Sequence, residues 1–128
     1  MTETDVLIVG GSAAGMVAAV TGKNSYPNKE FLLIRKEPQV VVPCGIPYVF
    51  GSLEGIEKNT VPDEKVLKAG VNIKVGTVEF IDQDSKTCKM EDGSEISFEK
   101  LVLATGSSPI VPTWLKGADF PNVFAIPK

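Results

Sequence analysis

With 128 residues, 43% of them hydrophobic, the chain is long enough to fold as one globular domain burying about two-thirds of its unfolded surface. A formal net charge of −3, a pI near 5.0 and few aromatics, with no basic stripe, argue against nucleic acid or an anionic membrane as the main partner and leave a small molecule. Cys44 and Cys88, with no histidine anywhere, exclude a zinc centre, so no metal is expected; they are too few for a secreted disulfide framework, so a reducing cytoplasm is the expected location.

Asp5 to Val9 is a short apolar run rich in β-branched residues, the pattern of a strand buried on both faces of a parallel sheet. Val6 to Val20 is apolar enough to pass for the core of a secretory leader. Glu3 and Asp5 stand where a leader is basic, however, and Gly10, Gly11, Ser12 and Gly15 interrupt the run. No stretch reaches the roughly 18 apolar residues of a membrane span. Ala13 to about Lys23 carries small and apolar residues at helical spacing, stopped by Gly22, Asn24, Ser25 and Pro27. Phe31 to Ile34 reads as a second buried strand. Strand, glycine turn, helix and strand within 34 residues predict a right-handed βαβ unit.

Between Thr60 and Gly70, Pro62, Asp63 and Glu64 near a first turn and Gly70 as a stop predict a short helix. Val71 to Lys74 reads as a third strand. Val78 to Asp82, Thr87 to Met90 and Glu95 to Phe98 read as an antiparallel meander, turned at Gln83–Ser85 and Glu91–Gly93. Leu101 to Ala104 reads as a fourth buried parallel strand. After Ser108, Pro109, Pro112, Pro121 and Pro127 remove the periodicity, so residues 109–128 are expected to connect outward from a domain over residues 1–108. No internal repeat or low-complexity tract is present.

Gly10-Gly11-Ser12-Ala13-Ala14-Gly15 follows one strand and opens a helix, the setting of a phosphate-binding turn. In the usual G-x-G-x-x-G the second glycine lets a pyrophosphate approach the backbone; Ser12 holds that place here, small and able to donate. An acidic residue is normally expected at the end of the second strand to hold ribose hydroxyls. This chain has Arg35-Lys36-Glu37 there. Either Glu37 reaches the ribose from further along, or Arg35 covers adenine or a phosphate, or the three form a solvated cluster. Cys44 follows the second strand on the ligand-binding side of a doubly wound sheet. Gly45 would let a flat ring come close, and Pro47 suits a first helical turn whose N-terminus would favour a thiolate. A cysteine beside Val40–Val42 also reads as a small buried hydrophobe.

Taken in order and at these spacings, VLIVGGSAAG, PCGIPY, LVLATGSSP and GADFPNVF make the chain similar to the N-terminal segment of the FAD-dependent pyridine nucleotide-disulfide oxidoreductases. The resemblance is to the single-cysteine branch of coenzyme A-disulfide reductases, NADH oxidases and NADH peroxidases, because Val49 stands where a second redox cysteine would be. It implies an α/β, three-layer FAD/NAD(P)-binding (Rossmann-like) domain, with a parallel sheet, helices on one face and an antiparallel β-meander on the other, incomplete at its C-terminal side.

The same resemblance implies that Cys44 is the catalytic residue, lying against the flavin and cycling between thiolate and a mixed disulfide or sulfenic acid. It places Gly10, Ser12, Ala13 and Ala14 at the FAD pyrophosphate, Val78 at the adenine through its backbone, and Ala104, Thr105 and Gly106 near the sheet's ligand edge. With Gly11, Gly15, Arg35, Lys36, Pro43 and Cys44 these form the expected cofactor-binding set. Cys88 is assigned a structural place in the hairpin.

Peroxidases and water-forming oxidases of the branch carry a histidine in the glycine turn where this chain has Ala13, so disulfide, polysulfide or persulfide reduction is expected before peroxide chemistry. The stretch VTGKN lacks the arginines that coenzyme A-disulfide reductases carry late in the first helix. Family members are longer, adding an NAD(P)H domain, a returning segment that completes the FAD site, and a dimerisation domain. The chain is therefore expected to be a fragment of a homodimeric flavoprotein passing electrons from NAD(P)H through FAD to Cys44 and a sulfur substrate or oxygen. The rival readings are a freestanding nucleotide-binding or redox-sensing module without turnover, and the NAD domain of an ordinary dehydrogenase, which explains the glycine turn but neither PCGIPY nor ATGSSP.

Overall fold

A computed structural model describes residues 2–124. The expected βαβ unit is β1 (Thr2–Val9), α1 (Ala13–Ser25) and β2 (Phe31–Arg35). A two-residue strand β3 (Val40–Val41) leads into a 3-10 turn at Pro43–Gly45 and the four-residue helix α2 (Ile46–Val49). A second 3-10 turn at Ile56–Asn59 leads to β4 (Thr60–Val61), which pairs antiparallel with β3. Helix α3 (Glu64–Lys68), β5 (Asn72–Val75) and the meander strands β6 (Val78–Asp82), β7 (Thr87–Met90) and β8 (Glu95–Leu103) follow.

One six-stranded sheet runs β5-β2-β1-β8-β7-β6, parallel through β5, β2, β1 and β8 and antiparallel through β8, β7 and β6. Because side chains alternate along β1 and β2, the two faces of the parallel part gather separate cores. Leu7, Val9, Leu32 and Ile34 meet Cys88, Met90 and Ile96 of the meander. Ile8 and Leu33 on the opposite face meet Met16 and Ala19 of α1 and Val66 of α3. The meander thus lies over one face and the helices over the other, the three layers anticipated.

Glu95–Phe98 and Leu101–Ala104, expected as separate strands, form the single β8 that ends at Leu103. Ile96 and Phe98 side with the meander core, whereas Val102 sides with the helix core, so the strand turns its apolar face over near Glu99–Lys100, where its pairing with β1 skips Glu99 but resumes in the same register. That reversal interrupts the alternation from which a strand is read. Leu101 and Val102 are only partly buried and Leu103 is 64% exposed, so the last stretch of β8 is not the fully buried strand its composition suggested. β1 starts at Thr2 because its first residues pair with Ile96–Phe98. Residues 125–128 of the expected connecting segment lie outside the described residues. Among the described residues, no helix is long and apolar enough to cross a membrane, and no cluster of metal-ligating side chains is present.

Candidate cofactor site

A cavity of about 780 Å³ opens at the C-terminal ends of β1, β2 and β8. Its floor is the glycine turn. Gly10 N–H donates to the Ile34 carbonyl at 2.8 Å, and Ala104 N–H donates to the Val9 carbonyl at 2.8 Å, so the three strand ends are tied edge to edge. Gly10 sits at φ +113°, and a Cβ on it would fall 2.1 Å from the Ala104 oxygen. Glycine is required there for both conformation and contact. Gly15 lets α1 press on the same turn, since its Cβ would lie 1.7 Å from the Gly10 oxygen. Ser12 is the N-cap of the 13-residue α1 and makes no side-chain capping bond, so first-turn N–H groups stay available to an anion at the dipole's positive end.

The structure distributes the expected residues unevenly. Gly10, Gly11 and Ser12 line the cavity floor, and Ala104 and Thr105 its β8 side. Arg35, Lys36, Pro43 and Val78 form further parts of the wall. Ala13 and Ala14 are exposed on the first turn of α1 outside the lining, and Gly15 is buried behind it. Gly106, at φ +76°, turns the chain just after the lining residue Thr105 without itself lining the cavity. Val40, Val41, Phe80 and Ile81 supply an apolar wall that the sequence reading did not name. Their signal was the valine run just before PCGIPY and the apolar pair in the first meander strand.

Arg35 is not part of a solvated cluster. It is 4% exposed, and its terminal nitrogens donate to both Asp63 carboxylate oxygens at 2.5 and 2.6 Å, with a further 2.6 Å bond to the Pro38 carbonyl. Nε is buried without a partner. The Arg35 stem fills the space above Gly11, where a Cβ would lie 2.5 Å from the arginine's own. The Asp63 carboxylate, expected to serve the dipole of α3, makes no cap bond and is committed to Arg35. That hydrogen bond lowers the Asp63 pKa below the ordinary value, with burial opposing. The strand-end position that usually holds a ribose-binding acid is therefore a brace between β2, the glycine turn and α3. Lys36 and Glu37 remain exposed on the cavity rim.

Cys44 is exposed, inside the three-residue 3-10 turn and one residue beyond the lining residue Pro43. The anticipated helix N-terminus is reduced to this turn and the four-residue α2, which carries few aligned peptide dipoles. Cys88 is fully buried on β7, and burial pushes its thiol pKa up, as for an inert core cysteine.

A turn that offers its backbone to an anion, an open groove at the carboxyl ends of parallel strands and an apolar wall suit a dinucleotide carrying a flat ring. A family model described as pyridine nucleotide-disulphide oxidoreductase matches residues 4–126. The chain belongs to that family. Among relatives of this oxidoreductase chain, an NADH oxidase from Methanocaldococcus jannaschii is 33% identical over 129 residues, covering 94% of the chain and 29% of that protein. An NAD(P)H coenzyme A polysulfide/persulfide reductase from Pyrococcus horikoshii is 35% identical over 125 residues, 93% of the chain and 28% of that protein. Of solved structures, the water-forming NADH oxidase from Lactobacillus brevis bound to NADH superposes with a TM-score of 0.76 at 30% identity, covering 91% of the chain and 28% of that protein. An NAD-dependent persulfide reductase from A. fulgidus gives 0.77 at 26% identity over 90% of the chain and 24% of that protein. This oxidoreductase chain thus spans less than a third of the length of these relatives.

Proposed function

We propose that residues 1–108 form the ADP-facing part of an FAD site, that residues 109–128 lead toward an NAD(P)H-binding domain, and that Cys44 is the redox residue of a homodimeric flavoprotein of the cytoplasm. The carrying observation is the single cavity that joins the glycine turn, the Ala104–Thr105 turn and Pro43, the neighbour of Cys44. The residues present fit the cofactor: uncapped N–H groups at α1 for the pyrophosphate, and Val40, Val41 and Pro43 as an apolar wall for a ring. When bound, FAD supplies acceptance of hydride from NAD(P)H and delivery of two electrons to sulfur.

The chain's own part is at sulfur. The Cys44 thiolate attacks one sulfur of a disulfide or persulfide; the new Cys44 S–S bond forms as the old one breaks, and the second sulfur leaves as a thiolate or hydrosulfide. Two electrons and a proton then cleave the mixed disulfide, releasing the remaining thiol and restoring the Cys44 thiolate. The absence of histidine from the chain favours these sulfur acceptors over peroxide chemistry, which needs an acid and base at the turn. The test is Cys44→Ser in the full-length, flavin-loaded protein. Loss of disulfide and persulfide reduction with intact NAD(P)H-driven flavin bleaching is expected; full turnover by the serine variant would overturn the assignment.

A further inference from the structure

We infer that Asn59 is the positioning residue for Cys44. Asn59 is 5% exposed, one of few polar side chains buried among the described residues, and a buried amide is costly unless its hydrogen bonds are made. Its backbone carbonyl accepts from Val42 N–H at 2.9 Å, and its Nδ2 donates to the Val42 carbonyl at 2.9 Å. That same carbonyl accepts from Gly45 N–H at 3.0 Å. Asn59 therefore holds both backbone polar groups of Val42, and through the shared carbonyl it closes the turn that contains Pro43 and Cys44. On the far side of the turn Asn59 abuts Gly45, where a Cβ would fall 1.8 Å from Oδ1 and 2.7 Å from Cγ. Pairing of Val41 with Thr60 brings Asn59 beneath the turn.

The clamp grips the residues on both sides of Cys44 and leaves the thiol free. It explains why Gly45 must be glycine although its φ of −88° is ordinary: the space is taken by the amide. The residue type is also specified. Aspartate would set a carboxylate against the Val42 carbonyl, and glutamine would drive an extra methylene into Gly45. A 3-10 turn of three residues has little stability of its own, so the clamp decides where Sγ stands relative to Pro43 and the cavity.

The inference rests on the reading of Cys44 as the redox residue only for its chemical consequence, and the experiment separates the two. A thiol-reactive nitroxide placed on Cys44, with mass analysis to verify that buried Cys88 stays unlabelled, reports the mobility of the turn. Asn59→Ala and Gly45→Ala should each shorten the label's correlation time by about threefold or more, and the double variant should be no more mobile than either single, since both remove one contact. Asn59→Asp, of the same size, replaces Asn59→Ala if Cys88 becomes labelled in the latter. Unchanged mobility, or additive effects of the two substitutions, overturns the clamp. In the full-length, flavin-loaded protein, FAD should slow alkylation of wild-type Cys44, and Asn59→Ala should lose most of that protection. No protection in the wild type would refute the flavin-facing reading of Cys44 and leave the clamp to the nitroxide result; equal protection in both would refute the clamp's bearing on the chemistry.

Discussion

Replacing Asp63 with asparagine removes the charge that faces Arg35 while keeping the shape. The Arg35 side chain is 3% exposed and would be left as a buried cation with an already unpartnered Nε, whereas Asp63 is 32% exposed and water can partly replace its carboxylate. Breaking a fully buried pair costs about 3–5 kcal/mol, and one-third exposure of the acid reduces the expectation to about 2–3 kcal/mol. With a urea m-value of about 1.5 kcal/mol/M, the midpoint should fall by about 1.3–2 M, read by far-ultraviolet circular dichroism at pH 7. The pH dependence follows from the depressed Asp63 pKa. Its contribution is fully present above the unfolded value of about 3.9 and is lost as pH falls through the lower folded value. The gap between wild type and Asp63→Asn should therefore be constant from about pH 8 to 5 and narrow below about pH 4. A gap under about 0.5 kcal/mol at pH 7, or one that widens in acid, would refute the reasoning. The paired replacement Arg35→Met with Asp63→Leu should cost less than Asp63→Asn alone, since no orphaned charge remains.

Other outcomes are expected. Gly10→Ala, at φ +113° with a Cβ 2.1 Å from the Ala104 oxygen, should cost about 2–4 kcal/mol in the same urea titration, because both clashing partners are backbone. In a timed iodoacetamide reaction read by peptide mass at neutral pH, exposed Cys44 should be modified well before Cys88, and equal slow labelling would return Cys44 to a packing role. The partly uncovered Leu101–Leu103 end of β8 should drive concentration-dependent self-association in sedimentation, relieved by Leu103→Lys; a clean monomer at all concentrations would count against it. On the proposed reading, the 128-residue chain alone should retain little FAD, because it spans less than a third of its relatives' length; a stoichiometric yellow protein would contradict this.

What the amino-acid sequence determined by itself was local and periodic. Asp5–Val9 and Phe31–Ile34 are continuous apolar runs that only a two-faced buried strand satisfies, and Gly10 to Gly15 between strand and helix states a turn that the backbone must make. Those signals sufficed for the βαβ unit and the turn at the cavity floor, and the resemblance supplied the three layers. Contacts between residues far apart in the chain were decided only by tertiary structure. Arg35 reads equally as a cofactor contact or a solvated charge until Asp63, 28 positions later, takes both its terminal nitrogens. Asn59 carries no signal in the sequence until β3 and β4 pair and bring it under Cys44, and β8 reads as two strands because its apolar face changes sides while its register with β1 is kept. In each case a buried polar group or strand edge found its partner across the fold, and hydrogen-bond satisfaction at that range leaves no periodic trace in sequence.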